Sequence, residues 1–205
     1  MAAVVSLNVL LEAGRLWRGQ APLACPASPE PTGHAVLDAA LPGGGWPEAA
    51  LSEILLPADG VGELQLVLPA LVRHTRAGRD IALVAPPYVP FPRAWIAAGV
   101  DFARVHLIAA NAKDTLWASE QCLRAGCLAA VLCWPRQADD KALRRLQVAA
   151  ESGRTLGFVF RDQSAALSAS PAALRLQLQV EAIRVLKCRG GLAPTRAIPF
   201  PCVLH

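Results

Sequence analysis

Long apolar runs are missing from this chain. No stretch reaches the roughly 18 residues that a membrane-spanning helix requires, although 54% of its 205 residues are hydrophobic and only 18% are charged. The missing runs argue against a membrane-spanning helix, and the balance leaves a large apolar surface to bury in one core or against a partner. A secretory leader is missing as well. The opening MAAVVSLNVLL has no basic start and no small-residue cleavage site before Glu12 and Arg15, so the chain is read as cytoplasmic. Paired cysteine spacing is the third absence: Cys25, Cys122, Cys127, Cys133, Cys188 and Cys202 form no CxxC and have no histidine pair beside them. This removes the usual zinc frameworks and leaves reduced, buried thiols as the expectation.

Catalytic constellations are absent too. His34, His74, His106 and His205 are scattered without a Ser/His/Asp pattern. The apolar run 81–85 ends at Pro86 and Pro87, and the run 129–134 ends at Pro135, with no carboxylate to hold a metal or direct a water. No catalytic residue, metal ligand or cofactor is therefore assigned, and the chain is not expected to be an enzyme.

What is present is an alternation of strands and helices. Strands are expected at 52–56, 81–85, 105–109, 129–134 and 157–160. Helices are expected at 64–76, with Pro69 kinking it, at 94–98, from a cap at Asp114 to Gly126, and from Asp139 or Asp140 to Glu151, closed by Gly153. This is the pattern of an α/β fold with a mostly parallel central sheet covered by helices. In 174–180 the leucines alternate strictly with Arg175, Gln177 and Gln179, which predicts a strand with one wet face, paired with 182–187 as an antiparallel hairpin. The chain divides into an arm at 1–31 rich in proline near its end, a domain at 32–190 and an extended tail at 191–205.

The stretch LSEILLPADGVGELQL, 51–66, has the strand, glycine turn and leucine-spaced helix of a phosphate loop. Such a loop needs G-x-x-x-x-G-K-[ST], with amides around the phosphates, lysine on the terminal ones and a hydroxyl on magnesium. With Gly62 as the second glycine, Pro57 replaces the first, Glu63 the lysine and Leu64 the hydroxyl, while Gly60 remains within the turn. A carboxylate at Glu63 repels phosphate, so ATP binding is not expected.

Two further features carry paired readings. Arg144, Arg145, Arg161, Arg175, Lys187 and Arg189 are candidate contacts for DNA or an acidic partner, or a solvated charged face. The small-residue stretch 162–171 reads as a mobile loop. Leu10, Leu11 and Trp17 in the arm either pack on this domain or dock on another subunit across the proline tether.

The segment PTGHAVLDAALPGGGWPEAALSEILLP, 31–57, resembles the opening of the RecA core. More narrowly, LWRG (16–19), LPGGGWP (41–47), GELQL (62–66), PPYVPF (86–91), WASEQ (117–121), RRLQVAAE (144–151), SPAALRL (170–176) and LKCRGG (186–191) are similar to the ImuA-like translesion-synthesis proteins, relatives of RecA and SulA. That resemblance implies a RecA-like fold without ATPase residues. It implies an SOS-induced accessory role in translesion synthesis, with ImuB and RecA as partners, an error-prone polymerase indirectly, and DNA contact as an option. The alternative it carries is a SulA-like inhibitor acting on the division GTPase FtsZ. The arm and the C-terminal hairpin favour the translesion reading.

Overall fold

The structure, a computed structural model, describes residues 30–200. The arm candidates Leu10, Leu11 and Trp17 lie outside the described residues, as do 201–205. A short helix α1 (Ala35–Ala40) precedes β1 (Leu51–Leu56), α2 (Glu63–Arg76), β2 (Asp80–Val84) and α3 (Pro92–Ala97). Then come β3 (Val105–Ile108), α4 (Thr115–Arg124), β4 (Leu128–Cys133), α5 (Asp140–Gly153) and β5 (Leu156–Asp162). A 3-10 turn (Gln163–Leu167) leads to β6 (Leu174–Leu178), β7 (Ala182–Cys188) and β8 (Ile198–Pro199).

The strands form one eight-stranded sheet in the order β3-β2-β4-β5-β1-β6-β7-β8. All pairs from β3 to β6 are parallel, whereas β6–β7 and β7–β8 are antiparallel. Strand alternation sorts the core into two layers. Ile81 and Leu83 face the layer that holds Leu66, Val67, Ala70 and Leu71 of α2 and Trp95 of α3. Ala82 and Val84 face the layer that holds Leu123 of α4 and Leu143, Leu146, Ala149 and Ala150 of α5. A run apolar at every position is thus a strand with helices on both sides.

Pro69 leaves α2 continuous. Its missing N–H orphans the Gln65 carbonyl one turn earlier, and His34 Nε2 stands 3.3 Å from that oxygen, donating as the Nε2–H tautomer. Asp114 does not cap α4 through its side chain. Asn111 Oδ1 instead accepts from the N–H groups of Lys113 and Asp114 at 2.9 and 3.0 Å. Asp139 caps α5 as expected, its Oδ1 accepting from Ala142 N at 2.7 Å. Gly153 is the last helical residue rather than the closing one, because Arg154 takes the left-handed position at φ 52°.

The tail also departs from expectation. Ile198 pairs with Ile183, and Phe200 N donates to Glu181 O at 2.9 Å, so the chain after Gly190 returns to the sheet edge. The apolar character of Ile198 and Phe200, both buried, drives this return.

At the other end Glu30 ties the start of the described chain to α2. Its carboxylate accepts from Arg73 Nη2 at 2.5 Å, and its carbonyl accepts from Trp46 N at 2.7 Å. His74 beside it is 3% exposed; Nε2 lies 3.5 Å from Glu30 Oε1, and neither ring nitrogen makes a hydrogen bond. Burial lowers its pKa from 6.5; Glu30 opposes this, and Arg79 and Arg73 reinforce it. A histidine held neutral in the fold stabilises it above its unfolded pKa, and that stability is lost as pH falls from about 6.5 through the lower folded value. The melting temperature should therefore drop over that acid window, and His74→Phe should flatten the drop; equal slopes for the two proteins would reject this role.

Candidate functional site

The loop after β1 turns on Gly60 and Gly62, both left-handed at φ 79° and 92°, a conformation that glycine adopts without steric cost. Gly62 caps α2, and Glu63 is its first residue. Glu63 is 5% exposed; its Oε1 accepts from Gly60 N at 3.1 Å, and its Oε2 is buried without a hydrogen-bond partner. A carboxylate at the positive end of a helix is stabilised there. The loop amide that a phosphate loop offers to its ligand is taken by the protein's own anion, beside the exposed Pro57 and the half-buried Leu64.

Above this loop the C-terminal strand ends open into a crevice of about 1080 Å³, the customary ligand position in parallel α/β sheets. Leu56 of β1, Ala85 after β2, Ile108 of β3, Trp134 after β4 and Asp162 of β5 contribute to its walls. Ala85 is left-handed at φ 49°, and the proline segment after it exposes Tyr88 and Val89 at the lip. Trp134 stacks on Phe160 with ring centroids 4.7 Å apart, and its buried Nε1 has no acceptor. Leu107 on the edge strand β3 and Trp117 on α4, beside Ile108, are exposed near this lip. Sequence reasoning missed this crevice, since its walls come from loops far apart in the chain.

Five of the six basic candidates are engaged by groups of the protein itself. Arg161 donates from Nη1 to Glu53 Oε1 at 2.6 Å and from Nη2 to Ala138 O at 2.7 Å. Arg175 donates from Nε to the other oxygen, Glu53 Oε2, at 2.5 Å, and lies 7% exposed where a wet face was expected. The loop after β5 covers that face, where Ser168 O and Ala165 O accept from the Arg175 guanidinium, and the fully buried Glu53 supplies the counter-charge. Lys187 donates to Ser170 O at 2.8 Å, and Arg189 to Glu151 at 3.1 Å. The Lys187 pKa is lowered, chiefly by burial, then by Arg175 and Arg189. Arg145 pairs with Glu120, which also takes Arg124 at 2.6 Å, while Arg144 is exposed and has no ion pair among the described residues.

Among the described residues no group of three or more metal-type side chains gathers, and no helix is long and apolar enough to cross a membrane. Cys122, Cys127, Cys133 and Cys188 are free thiols. Burial pushes that of Cys133 up to about 12.

Fold and site define a mixed α/β protein with a mostly parallel sheet, whose loop after the first strand is closed by its own glutamate. A family model described as Cell division inhibitor SulA matches residues 49–157. The chain is 33% identical over 118 residues to a Cell division inhibitor SulA of Pectobacterium atrosepticum, covering 56% of this chain and 70% of that protein. It is 32% identical over 117 residues to that of Pectobacterium carotovorum, covering 56% and 69%. A crystal structure of SulA from Pseudomonas aeruginosa is 28% identical, covers 56% of this chain and 98% of that one, and superposes with a TM-score of 0.47. The chain belongs to the SulA family.

This overturns the translesion-synthesis function expected from the ImuA-like segments. The segments at 62–66, 86–91, 117–121 and 144–151 all fall within the part that the SulA model matches.

Proposed function

We propose that this chain is a cell division inhibitor that acts by binding the polymerising GTPase FtsZ in the cytoplasm, as part of the SOS response. The observation that carries the reading is the family match over residues 49–157, which spans β1 through α5 and so includes most of the crevice and its apolar lip. We read the core as RecA-like in its strand–loop–helix opening, with kinship to the ImuA-like proteins kept as a statement about descent. Such a protein works by occupying a surface of the GTPase, so its effect scales with its amount rather than with time. Exposed aromatic and aliphatic side chains at the lip, Tyr88, Val89 and Leu107, suit a protein contact. Nothing in the fold or the relatives bears on ImuB, RecA or DNA as partners, and the division reading requires none of them.

Overexpression in a bacterium carrying its own division machinery tests this. Cells should elongate several-fold without septa while DNA replication continues. Cells of normal length that contain abundant soluble protein would reject the reading.

A further inference from the structure

The sheet ends on two unlike edges. β8 is two residues long and includes Pro199, which has no N–H to offer a further strand. β3, four residues long, has no proline, lysine or bulge to guard it. Ala85 N donates to Ile108 O at 2.9 Å, so His106 and Ile108 turn their backbone groups towards β2, and Val105 and Leu107 turn theirs outward. The Val105 amide goes back to Phe102 O. That leaves the Val105 carbonyl and both backbone groups of Leu107 without a partner among the described residues.

Both faces beside this edge are apolar. On one, Leu107, 47% exposed, stands at the crevice lip with Tyr88 and Val89. On the other, Ile108, Ala110, Ala118 and Trp117, which is 60% exposed, line a groove of about 700 Å³ between β3 and α4. The polar side chains of that groove bond each other, Asn111 Nδ2 donating to Asp114 Oδ2 at 2.6 Å. On the strand itself, His106 Nε2 lies 3.5 Å from Asp80. The charges of the crevice, Asp59, Arg136 and Asp162, belong to the walls after β1, after β4 and on β5, all of which β2 separates from β3. An added strand would thus meet apolar side chains on both of its faces. The chemistry that fits is an extended peptide, apolar at successive positions, that pairs through its backbone.

We infer that the open edge of β3 docks one extended, apolar segment of the division GTPase by strand addition, with Leu107 supplying the backbone pair. The inference rests on the proposed function and says which part of this chain meets the GTPase. Edge and groove both fall within residues 49–157, the part that the family model matches. A charged segment would be desolvated between Leu107 and Trp117 with no free counter-charge in the groove.

The test is amide hydrogen exchange and titration calorimetry of the full chain with purified GTPase. In the free chain the Leu107 amide should exchange as an exposed group does, and saturating GTPase should slow it by about tenfold or more. Leu107→Pro removes an outward N–H at an edge, where proline is tolerated. It should melt within about 3 °C of the parent and bind roughly tenfold more weakly. Leu107→Ala shortens the side chain but keeps the amide, so it should bind several-fold more tightly than Leu107→Pro. Should Leu107→Pro fail to fold, exchange at Leu107 in the unaltered chain still decides. A parent that binds while its Leu107 amide stays fast overturns strand addition and leaves the division reading standing. A Leu107 amide slowed by raising the concentration of the chain alone makes the occupant a second copy and also overturns the inference. A parent that does not bind the GTPase overturns both.

Discussion

Glu53→Ala is expected to lower the unfolding free energy by about 3–5 kcal/mol, the usual cost of leaving buried charge without its partner. The residue is fully buried, and both carboxylate oxygens are committed, one to Arg161 at 2.6 Å and one to Arg175 at 2.5 Å. Its removal leaves two guanidinium groups inside the sheet layer, and those groups in turn hold Ala138 O, Ala165 O and Ser168 O. The loss should spread from β1 to the two loops that these carbonyls belong to. A urea titration reads the free energy, with the slope reporting whether the native state has loosened. Replacing all three charges by apolar residues of similar volume should recover much of the loss, since charge burial rather than shape is the cost. A Glu53→Ala protein within about 1 kcal/mol of the parent would show that water reaches the pair and that the triad is not buried in solution.

Gly153→Ala is the second large effect, expected near 3 kcal/mol. A Cβ there would stand 1.9 Å from Leu123 O and 3.0 Å from Leu123 C, both backbone atoms at the end of α4. Backbone cannot swing aside as a side-chain tip can, so α4 and α5 would have to separate where Leu123, Leu143 and Leu146 form the second core layer. Gly43→Ala is the control, because nothing lies within 4 Å of its Cβ position. It should change stability by less than about 0.5 kcal/mol. Thermal melts of the two variants side by side separate close packing from the generic effect of losing a glycine.

The parallel sheet was legible because fully apolar runs such as 81–85 have one common explanation, burial on both faces. The hairpin strand expected at 182–187 and observed as Ala182–Cys188 followed from the same kind of periodicity. The failures have local causes. Asn111 rather than Asp114 ties the turn into α4: its Oδ1 takes the amides of Lys113 and Asp114, and its Nδ2 donates to the Asp114 carboxylate. Gly153 looks like a helix stop, but its role is set by Leu123, thirty positions away in the chain, against which it packs. The wet face read into β6 failed because alternation shows only that every second residue is polar. The carboxylate that receives Arg175 lies 122 residues earlier in sequence.

The site divides in the same way. A glutamate opening the helix after the glycine turn was visible in the sequence, and the structure adds that its carboxylate takes the Gly60 amide. Trp134, Phe160 and the crevice were not visible, because strand order decides which loops meet and β4 lies beside β2 and β5 rather than β3. Function was misjudged for a related reason. The ImuA-like segments are short and scattered, and the continuous match over 49–157 is to the cell division inhibitor family.

We propose that this chain stops division by occupying a surface of FtsZ. The measurement that meets it most directly is pelleting of GTP-driven FtsZ polymer with rising amounts of the purified full chain. The account predicts that pelletable polymer falls in proportion to the chain added and is nearly gone at equimolar amounts. Undiminished polymer at a severalfold excess of folded chain would contradict it.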